Sequence, residues 1–164
     1  MQLILRGYVD VIANGSWELP SGCEILTLQD NQWPELAELY FLTYFPDLVA
    51  NLEGAKEEMR LTQAGEFGLL IAELSPVMRL NNTLVSAIMT VADTRQSNSQ
   101  AGLFIIEVMT HPAYRRRGIA ENGLRWLASK AREQGFTTLA LQVLAENLAA
   151  ITLYRKLGFS DVQL

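Results

Sequence analysis

The stretch that most constrains the fold runs from an apolar segment through a basic turn into a helix that begins with small residues. The apolar segment is 102–109, the turn is 110–117, and the helix begins at Gly118, with Ala120 two residues later. Because Gly118 and Ala120 have almost no side chain, a ligand can approach the backbone N–H groups of the first helical turn closely. Those N–H groups have no partner within the helix and lie at its positive end, so the pattern predicts an anion site.

The rest of the chain alternates between strand and helix patterns without an internal repeat. We expect helices over 30–44, 52–64, 118–134 and 147–157, and strands over 2–12, 23–28, 68–74, 83–92, 102–109, 137–143 and 159–163. This order, with one strand in front, favours a mixed sheet covered by helices on both faces. A length of 164 residues suits one α/β domain over 1–164, with 1–19 as an additional N-terminal strand and turn.

Charge is unevenly distributed along the chain. The net charge is −5, which argues against nucleic acid as the main partner. Residues 1–110 carry a net charge of −9, whereas residues 115–132 carry +5. A local basic cluster on an acidic protein favours a small anionic ligand at that place. From charge alone, a solvated charged helix face is an equal alternative.

The inventory of reactive residues excludes several kinds of site. Cys23 is the only cysteine, and a single free thiol fits a reducing compartment. We find no signal peptide and no apolar run near the roughly 18 residues that cross a bilayer, so we expect a cytoplasmic protein that does not bind a membrane. One cysteine and one histidine cannot form a usual zinc site, so no metal is expected. The motifs of hydrolase elbows, of P-loops and of dinucleotide binding are not found.

Two motifs together resemble the GNAT superfamily of acetyl-CoA-dependent N-acetyltransferases. The family's first signature, (Gln/Arg)-x-x-Gly-x-(Gly/Ala) after a strand and a turn with proline, is matched by Arg115, Gly118 and Ala120. Its second signature is matched about thirty residues on by Asn147, Ala150, Tyr154, Gly158 and Phe159. The match covers roughly residues 103–160, and the order of elements extends it weakly to residue 23.

The resemblance implies a fold, a cosubstrate and a set of binding residues. The fold would be α/β, with a mixed, mostly antiparallel twisted sheet, a V-shaped splay between central strands and helices on both faces. Acetyl-CoA would be the cosubstrate, and a primary amine of a small molecule or peptide the acceptor. Residues 115–120 would hold the CoA pyrophosphate, while the end of the preceding strand and a later helix start would contact the pantetheine arm. The residues implied are Val108, Met109, Thr110, Arg115, Arg116, Arg117, Gly118, Ile119, Ala120 and Asn147.

Several of the singled-out residues have a structural alternative. Asn147 also suits plain N-capping of its helix, and the two roles can coexist. The resemblance places Tyr154 near the thioester sulfur, where a phenol could protonate the leaving thiolate; a tyrosine packed in the core is the alternative. His111 lies beside Pro112 and is interpreted as a turn residue, not as a base.

Glu107 is the one charged residue in the apolar run 103–109. A carboxylate buried there without a partner would be costly, so it should face a cleft or a cation. In a cleft it could deprotonate the attacking ammonium, and desolvation would raise its pKa toward that task. The alternative is a structural ion pair.

The chain departs from the family pattern after the helix that carries Tyr154. Such domains usually finish with two strands, and here only five residues follow Phe159. We therefore expect the N-terminal segment to complete the sheet, in its own chain or swapped into a partner as a homodimer.

The acceptor itself cannot be read from the sequence. Loops that would contact it lie in 30–66 and 93–101, and the acidic balance of 1–110 favours a cationic acceptor. The rival function is a non-catalytic acyl-CoA-binding sensor or interaction module, which would need residues 115–120 but neither Glu107 nor Tyr154.

Overall fold

A computed structural model describes residues 1–15, 18–94 and 102–162 of the chain. Its strands are β1 (Gln2–Tyr8), β2 (Cys23–Thr27), β3 (Pro76–Leu80), β4 (Thr83–Ala92), β5 (Leu103–Thr110), β6 (Thr138–Leu144) and β7 (Ser160–Asp161). Its helices are α1 (Val9–Ile12), α2 (Trp33–Tyr44), α3 (Leu52–Ala64), α4 (Ile119–Glu133) and α5 (Leu148–Leu157). Within these ranges no helix is long and apolar enough to cross a membrane.

The strands form one sheet in the order β2-β3-β4-β5-β6-β1-β7. Neighbouring strands are antiparallel except β5 and β6, which are parallel. One face is covered by α2 and α3, and the other by α1, α4 and α5. The predicted fold, a mixed and mostly antiparallel sheet with helices on both faces, is therefore confirmed.

β5 and β6 separate along their length. They pair only from Leu103 with Leu139 to Ile105 with Leu141, although β5 continues to Thr110 and β6 to Leu144. Beyond Ile105, the side of β5 that faces β6 pairs with no strand in the described part of the chain. This is the predicted V-shaped splay.

A β-bulge in β5 decides which way Glu107 points. Ile105 and Glu107 pair with successive residues of β4, so Ile106 is an extra residue in β5. Ile105 packs into the core beneath α4, whereas Ile106 and Met109 pack on the side of α2 and α3. Because alternation resumes after a bulge, Glu107 shares the face of Met109. The bulge therefore directs Glu107 toward α2.

α4 packs directly on the sheet at Gly123. A Cβ atom at Gly123 would lie 2.8 Å from Met78 Cε and 2.9 Å from Ile88 Cδ1, so a larger residue there would require these two buried side chains to shift. Leu124, which follows it, is fully buried. This contact holds the first turn of α4 beside the end of β5.

The N-terminal strand completes the sheet. β1 pairs with β6 from Gln2 to Tyr8, and β7 pairs with the other side of β1. Leu5 has no exposed surface and lies in the core with α4 and α5. The expectation that this segment completes the sheet in its own chain is confirmed for Gln2–Tyr8.

The strand predicted over 68–74 is wrong. This segment makes an isolated bridge and a 3-10 turn, and the strand is Pro76–Leu80. Both backbone groups of Thr90 bond to this turn: Ile71 N donates to Thr90 O at 2.9 Å, and Thr90 N donates to Ser75 Oγ at 3.1 Å. The chain therefore enters the sheet only after Ser75, and the proline stands at the first strand residue, where it is tolerated.

The strand predicted over 2–12 is also too long, because Val9–Ile12 forms the short helix α1. Arg125 Nη1 donates to the carbonyl oxygens of Ile12 (3.0 Å) and Asn14 (2.6 Å), which stabilises the end of that helix from α4. Such a contact depends on the tertiary fold. Residues 95–101 of the predicted acceptor loop 93–101, and the last residue of the predicted strand 159–163, lie outside the described residues.

We predict that β1 is essential to stability. Leu5→Ala should lower the free energy of unfolding by about 2–5 kcal/mol, because it leaves a cavity in the core. Tyr8→Ala, in the same strand but at a side chain that is 66% exposed, is the control and should cost about 0.5 kcal/mol or less. Urea unfolding measures both, and equal small losses would show that β1 does not hold the sheet.

Candidate active site

A cleft of about 820 Å³ lies at the splay between β5 and β6, bordered by α2, α4 and α5. Of the residues singled out in the sequence, it is lined by Val108, Thr110, Arg115, Arg116, Gly118, Ile119, Ala120, Asn147 and Tyr154. The two signature segments, which are about thirty residues apart in the chain, therefore meet at one place. Met109, Arg117 and Glu107 do not line this cleft.

The chain enters α4 through two residues in the left-handed region. Arg116 has φ 66° and Gly118 has φ 75°. A Cβ atom at Gly118 would meet only Asn122 Nδ2, at 3.8 Å, so the space above this glycine is open. Among the described residues, no side chain caps the start of α4. Free N–H groups, the helix dipole and an open approach together suit an anion.

Two arginines face the cleft, and the third of the turn does not. Arg115 and Arg116 line it, and Arg115 Nε also donates to Thr110 O at 3.3 Å. The Arg117 guanidinium instead lies over the ring of Tyr114, 5.2 Å from its centre. Positive charge at the cleft therefore comes mainly from the first two arginines.

The remaining basic residues of 115–132 have structural partners away from the cleft. Arg125 bonds to the end of α1, and Arg132 Nη1 lies 3.9 Å from Asp10. Lys130 Nζ lies 3.7 Å from Glu133 in the same helix. The basic stretch seen in the sequence is therefore divided, and only its first part can serve an anion in the cleft.

One carboxylate lines the cleft near the start of α4. Glu121 Oε1 lies 2.6 Å from Lys156 Nζ, and both residues line the cleft. The ion pair offsets the negative charge that would otherwise oppose an anion there.

β5 presents alternate backbone groups to the splay. Val108 O lies 3.5 Å from the Tyr44 hydroxyl, and Thr110 O accepts from Arg115. Met109, between them, is fully buried, and its carbonyl oxygen accepts the Ser86 hydroxyl at 2.6 Å. Val108 and Thr110 therefore face the cleft, whereas Met109 faces β4.

α5 brings Asn147 and Tyr154 to the same cleft. The Asn147 side chain accepts from Ala150 N at 3.3 Å, so it caps the helix while lining the cleft. Tyr154 is 7% exposed and packs against Phe159, with ring centroids 5.7 Å apart. Burial, and then the negative charge of Glu107, raise the pKa of Tyr154, so its phenol keeps its proton at neutral pH.

Glu107 lines a second cavity, of about 520 Å³, on the side of α2 and α3. Leu48 lines both cavities, so the two adjoin. Within the described ranges, the Glu107 carboxylate has no ion pair; the Tyr44 hydroxyl donates to its Oε1 atom. Glu107 therefore faces a cavity and not a cation.

Burial raises the pKa of Glu107 to about 7; the hydrogen bond from Tyr44 acts in the opposite direction, and the charge of Glu58 adds to the rise. A carboxyl with such a pKa can accept and release a proton near neutral pH. The sequence suggested this environment for Glu107, but it gave no sign of Tyr44 or Glu58. Both come from helices far away in the chain.

His111 is a turn residue, as predicted. Its Nδ1 atom accepts from Ala113 N at 3.0 Å, and its ring makes an edge contact with Tyr114. Among the described residues, no group of three or more His, Cys, Asp or Glu could hold a metal ion.

A sequence model described as "Acetyltransferase (GNAT) family" matches residues 28–159. The chain is 39% identical over 61 residues to the N-acetyltransferase YdgE of Bacillus subtilis, which is 37% of this chain and 39% of that protein. It is 42% identical over 62 residues to the [ribosomal protein bS18]-alanine N-acetyltransferase of Escherichia coli, 38% of this chain and 40% of that protein. These matches span about two fifths of each relative's length.

Two solved structures share the fold. The ribosomal-protein-S18-alanine N-acetyltransferase of Escherichia coli superposes with a TM-score of 0.66 at 20% identity, covering 86% of this chain and 79% of that one. The aminoglycoside N-acetyltransferase AAC(6')-Iy, solved in complex with CoA, superposes with a TM-score of 0.67 at 14% identity, covering 91% of this chain and 95% of that one.

We predict that Glu107 makes stability fall as pH rises. Its pKa is 4.5 in the reference state and about 7 in the fold, so between these values the folded protein binds more protons than the unfolded chain. The free energy of unfolding therefore falls with rising pH. Glu107→Gln removes this titration and still accepts from Tyr44.

Between pH 4 and pH 8, the difference in free energy of unfolding between Glu107→Gln and the parent should shift in favour of the variant by on the order of 3 kcal/mol. Urea unfolding at the two pH values measures this. A stability difference that does not change with pH would mean that Glu107 is well solvated.

Proposed function

Because the chain belongs to the GNAT acetyltransferase family, we propose that it transfers the acetyl group of acetyl-CoA to a primary amine where its two cavities adjoin. The observation that carries the proposal is that the two signature segments, one with Gly118 and the other with Asn147 and Tyr154, line one cleft at the splay of the sheet. As part of the proposal, residues 1–164 form one acetyltransferase domain, and the free thiol of Cys23 favours the cytoplasm.

Acetyl-CoA is assigned to the larger cleft. The pyrophosphate would accept from the N–H groups at the start of α4, above Gly118, with Arg115 and Arg116 adding positive charge. The pantetheine arm would pair with the backbone of Val108 and Thr110, as a neighbouring strand does. Asn147 would contact the same arm.

The acceptor amine is assigned to the smaller cavity. The charged residues that line it are Glu58 and Glu107, so its potential favours a cation. Leu48 and Phe67 are large exposed apolar residues that also line it, and they could contact the part of the acceptor beside the amine. One relative is named for an alanine of a ribosomal protein and one structural neighbour for aminoglycosides, so the proposal includes peptide and small-molecule amines.

Glu107 and Tyr154 would move the protons. Glu107 takes a proton from the acceptor ammonium, and the free amine nitrogen attacks the thioester carbonyl carbon. The tetrahedral adduct then collapses: the C–S bond breaks, Tyr154 donates its proton to the leaving sulfur, and the second proton of the adduct nitrogen passes to the Tyr154 phenolate, directly or through water, while Glu107 releases its proton to solvent. The negative charge of Glu107 helps to raise the pKa of Tyr154. Tyr154 therefore becomes a stronger acid once Glu107 has taken up its proton.

Two glycines that lie just outside the ends of α4 allow a matched test of the pyrophosphate site. Gly118 and Gly135 flank the helix at φ 75° and 88°, so valine strains the backbone at both. Only Gly118→Val also puts a side chain into the cleft. It should weaken acetyl-CoA binding by about tenfold to a hundredfold, because charge-assisted hydrogen bonds to phosphate are lost. Titration calorimetry should show little change for Gly135→Val, and equal affinities of the two variants would refute the site.

Kinetics of two conservative variants should test the proton roles. Tyr154→Phe should lower kcat by about 10²–10⁴ at every pH and leave acetyl-CoA affinity unchanged. Glu107→Gln should slow turnover most at low pH, where the acceptor is ammonium, and recover partly as pH rises.

The parent protein should first be assayed with acetyl-CoA and a panel of peptide, polyamine and aminoglycoside amines. Binding of acetyl-CoA without turnover of any amine would favour the non-catalytic sensor instead. Parental kcat in Tyr154→Phe would reduce the tyrosine to a packing residue.

A further inference from the structure

The end of α2 makes a direct bond to Glu107. Tyr44, the last residue of α2, donates its hydroxyl to Glu107 Oε1. Tyr44 lines the larger cleft, whereas Glu107 lines the smaller cavity. This hydrogen bond therefore crosses the wall between the place assigned to acetyl-CoA and the place assigned to the acceptor.

The two partners are held on separate rigid elements. The ring of Tyr44 packs on that of Tyr40, one helical turn earlier, with centroids 4.6 Å apart. Leu36 and Leu39 bury the same helix against the sheet, with 0% and 1% of their surface exposed. On the other side, the bulge in β5 directs Glu107 toward α2. The hydroxyl is thus fixed independently of the carboxylate that it contacts.

We propose that Tyr44 is a positioning residue for acetyl transfer, which holds Glu107 by Oε1 and leaves Oε2 as the atom that takes the acceptor's proton. The proposal rests on the function proposed above, because it assigns Glu107 as the base. A carboxylate can turn about its last side-chain bond, and a hydrogen bond to one oxygen selects one orientation. Hydrogen bonds with a charged acceptor are among the stronger ones in proteins.

The bond also sets how readily Glu107 accepts a proton. The titratable groups around Glu107 are Tyr40 and Tyr44 of α2, Glu58 of α3 and Tyr154 of α5. Burial and the charge of Glu58 raise the pKa of Glu107, and the hydrogen bond from Tyr44 is what lowers it. Burial, and then the charge of Glu107, raise the pKa of Tyr44, so its hydroxyl keeps its proton and stays a donor.

Tyr44→Phe removes the hydroxyl and keeps the ring. Without its donor, the Glu107 carboxylate is less stable relative to the protonated form, so its pKa should rise by about one unit. The base is then protonated over a wider range, and the acid limb of kcat/KM should move to higher pH by the same amount. kcat on the plateau should fall, because the carboxylate is no longer oriented, whereas KM for acetyl-CoA should stay within about twofold.

Tyr40→Phe is the matched control. Tyr40 lies on the same helix, packs on Tyr44 and feels the charge of Glu107, but its hydroxyl makes no hydrogen bond to that carboxylate. Whatever this variant does to the acceptor KM, it should leave the acid limb in place. In a Glu107→Gln background, Tyr44→Phe should produce no further change in the pH profile, since the two changes act through one bond.

Carboxyl ¹³C NMR of Glu107 in the free protein measures its pKa without any turnover. An upward shift in Tyr44→Phe alone, together with the moved acid limb, is the expected result. A loss of kcat that is uniform in pH, with an unshifted carboxyl resonance, would make Tyr44 a packing residue and overturn the proposal. If the parent acetylated no amine, the proposed function would fail, while the NMR titration would still decide whether Tyr44 controls Glu107.

Discussion

The early separation of β5 and β6 is the constraint on which the rest of the site depends. The strands share three register pairs, and each then runs on without the other. Buried backbone groups need partners, so the free side of β5 must be met by side chains, by helix ends or by a ligand. The start of α4, the start of α5 and the end of α2 all converge there. The positions of the charged and phenolic groups follow from that convergence.

The site is built on an unfavourable charge that the fold does not neutralise. Among the residues that the structure describes, Glu107 has a donor in Tyr44 but no cation, and Glu58 adds a second negative charge nearby. Elsewhere in the fold a carboxylate is neutralised by an arginine: Arg79 Nη2 lies 2.6 Å from Glu35 Oε1. A carboxylate that served only stability would have such a partner. Burying Glu107 without a cation lowers the stability of the fold. The same burial raises the pKa of Glu107, so that its carboxyl can exchange protons near neutral pH.

Local signals could be read from the sequence, and contacts between distant segments could not. Gly118 and Asn147 mark helix starts by their own chemistry, so the two segments that meet at the cleft could be singled out from the sequence. β3 was misplaced because its start depends on Thr90 bonding to Ser75, which no periodicity reveals. The basic stretch was read as one cluster, although its helical phase turns Arg125 away from the cleft. Tyr44 escaped notice because it meets Glu107 only in the folded chain.

β1 lies between β6 and β7, and this has a consequence for how the protein is made. Gln2 pairs with Leu144, so β1 leaves the ribosome long before its partner strand β6 has been synthesised. Until then Leu3 and Leu5 belong to a strand with two open edges, the kind of segment that invites pairing with other chains. A topology in which distant segments pair also folds slowly, because the entropy of closing a long loop is lost before the contacts that stabilise it have formed. The risk that β1 pairs with another chain is therefore greatest before β6 has been synthesised.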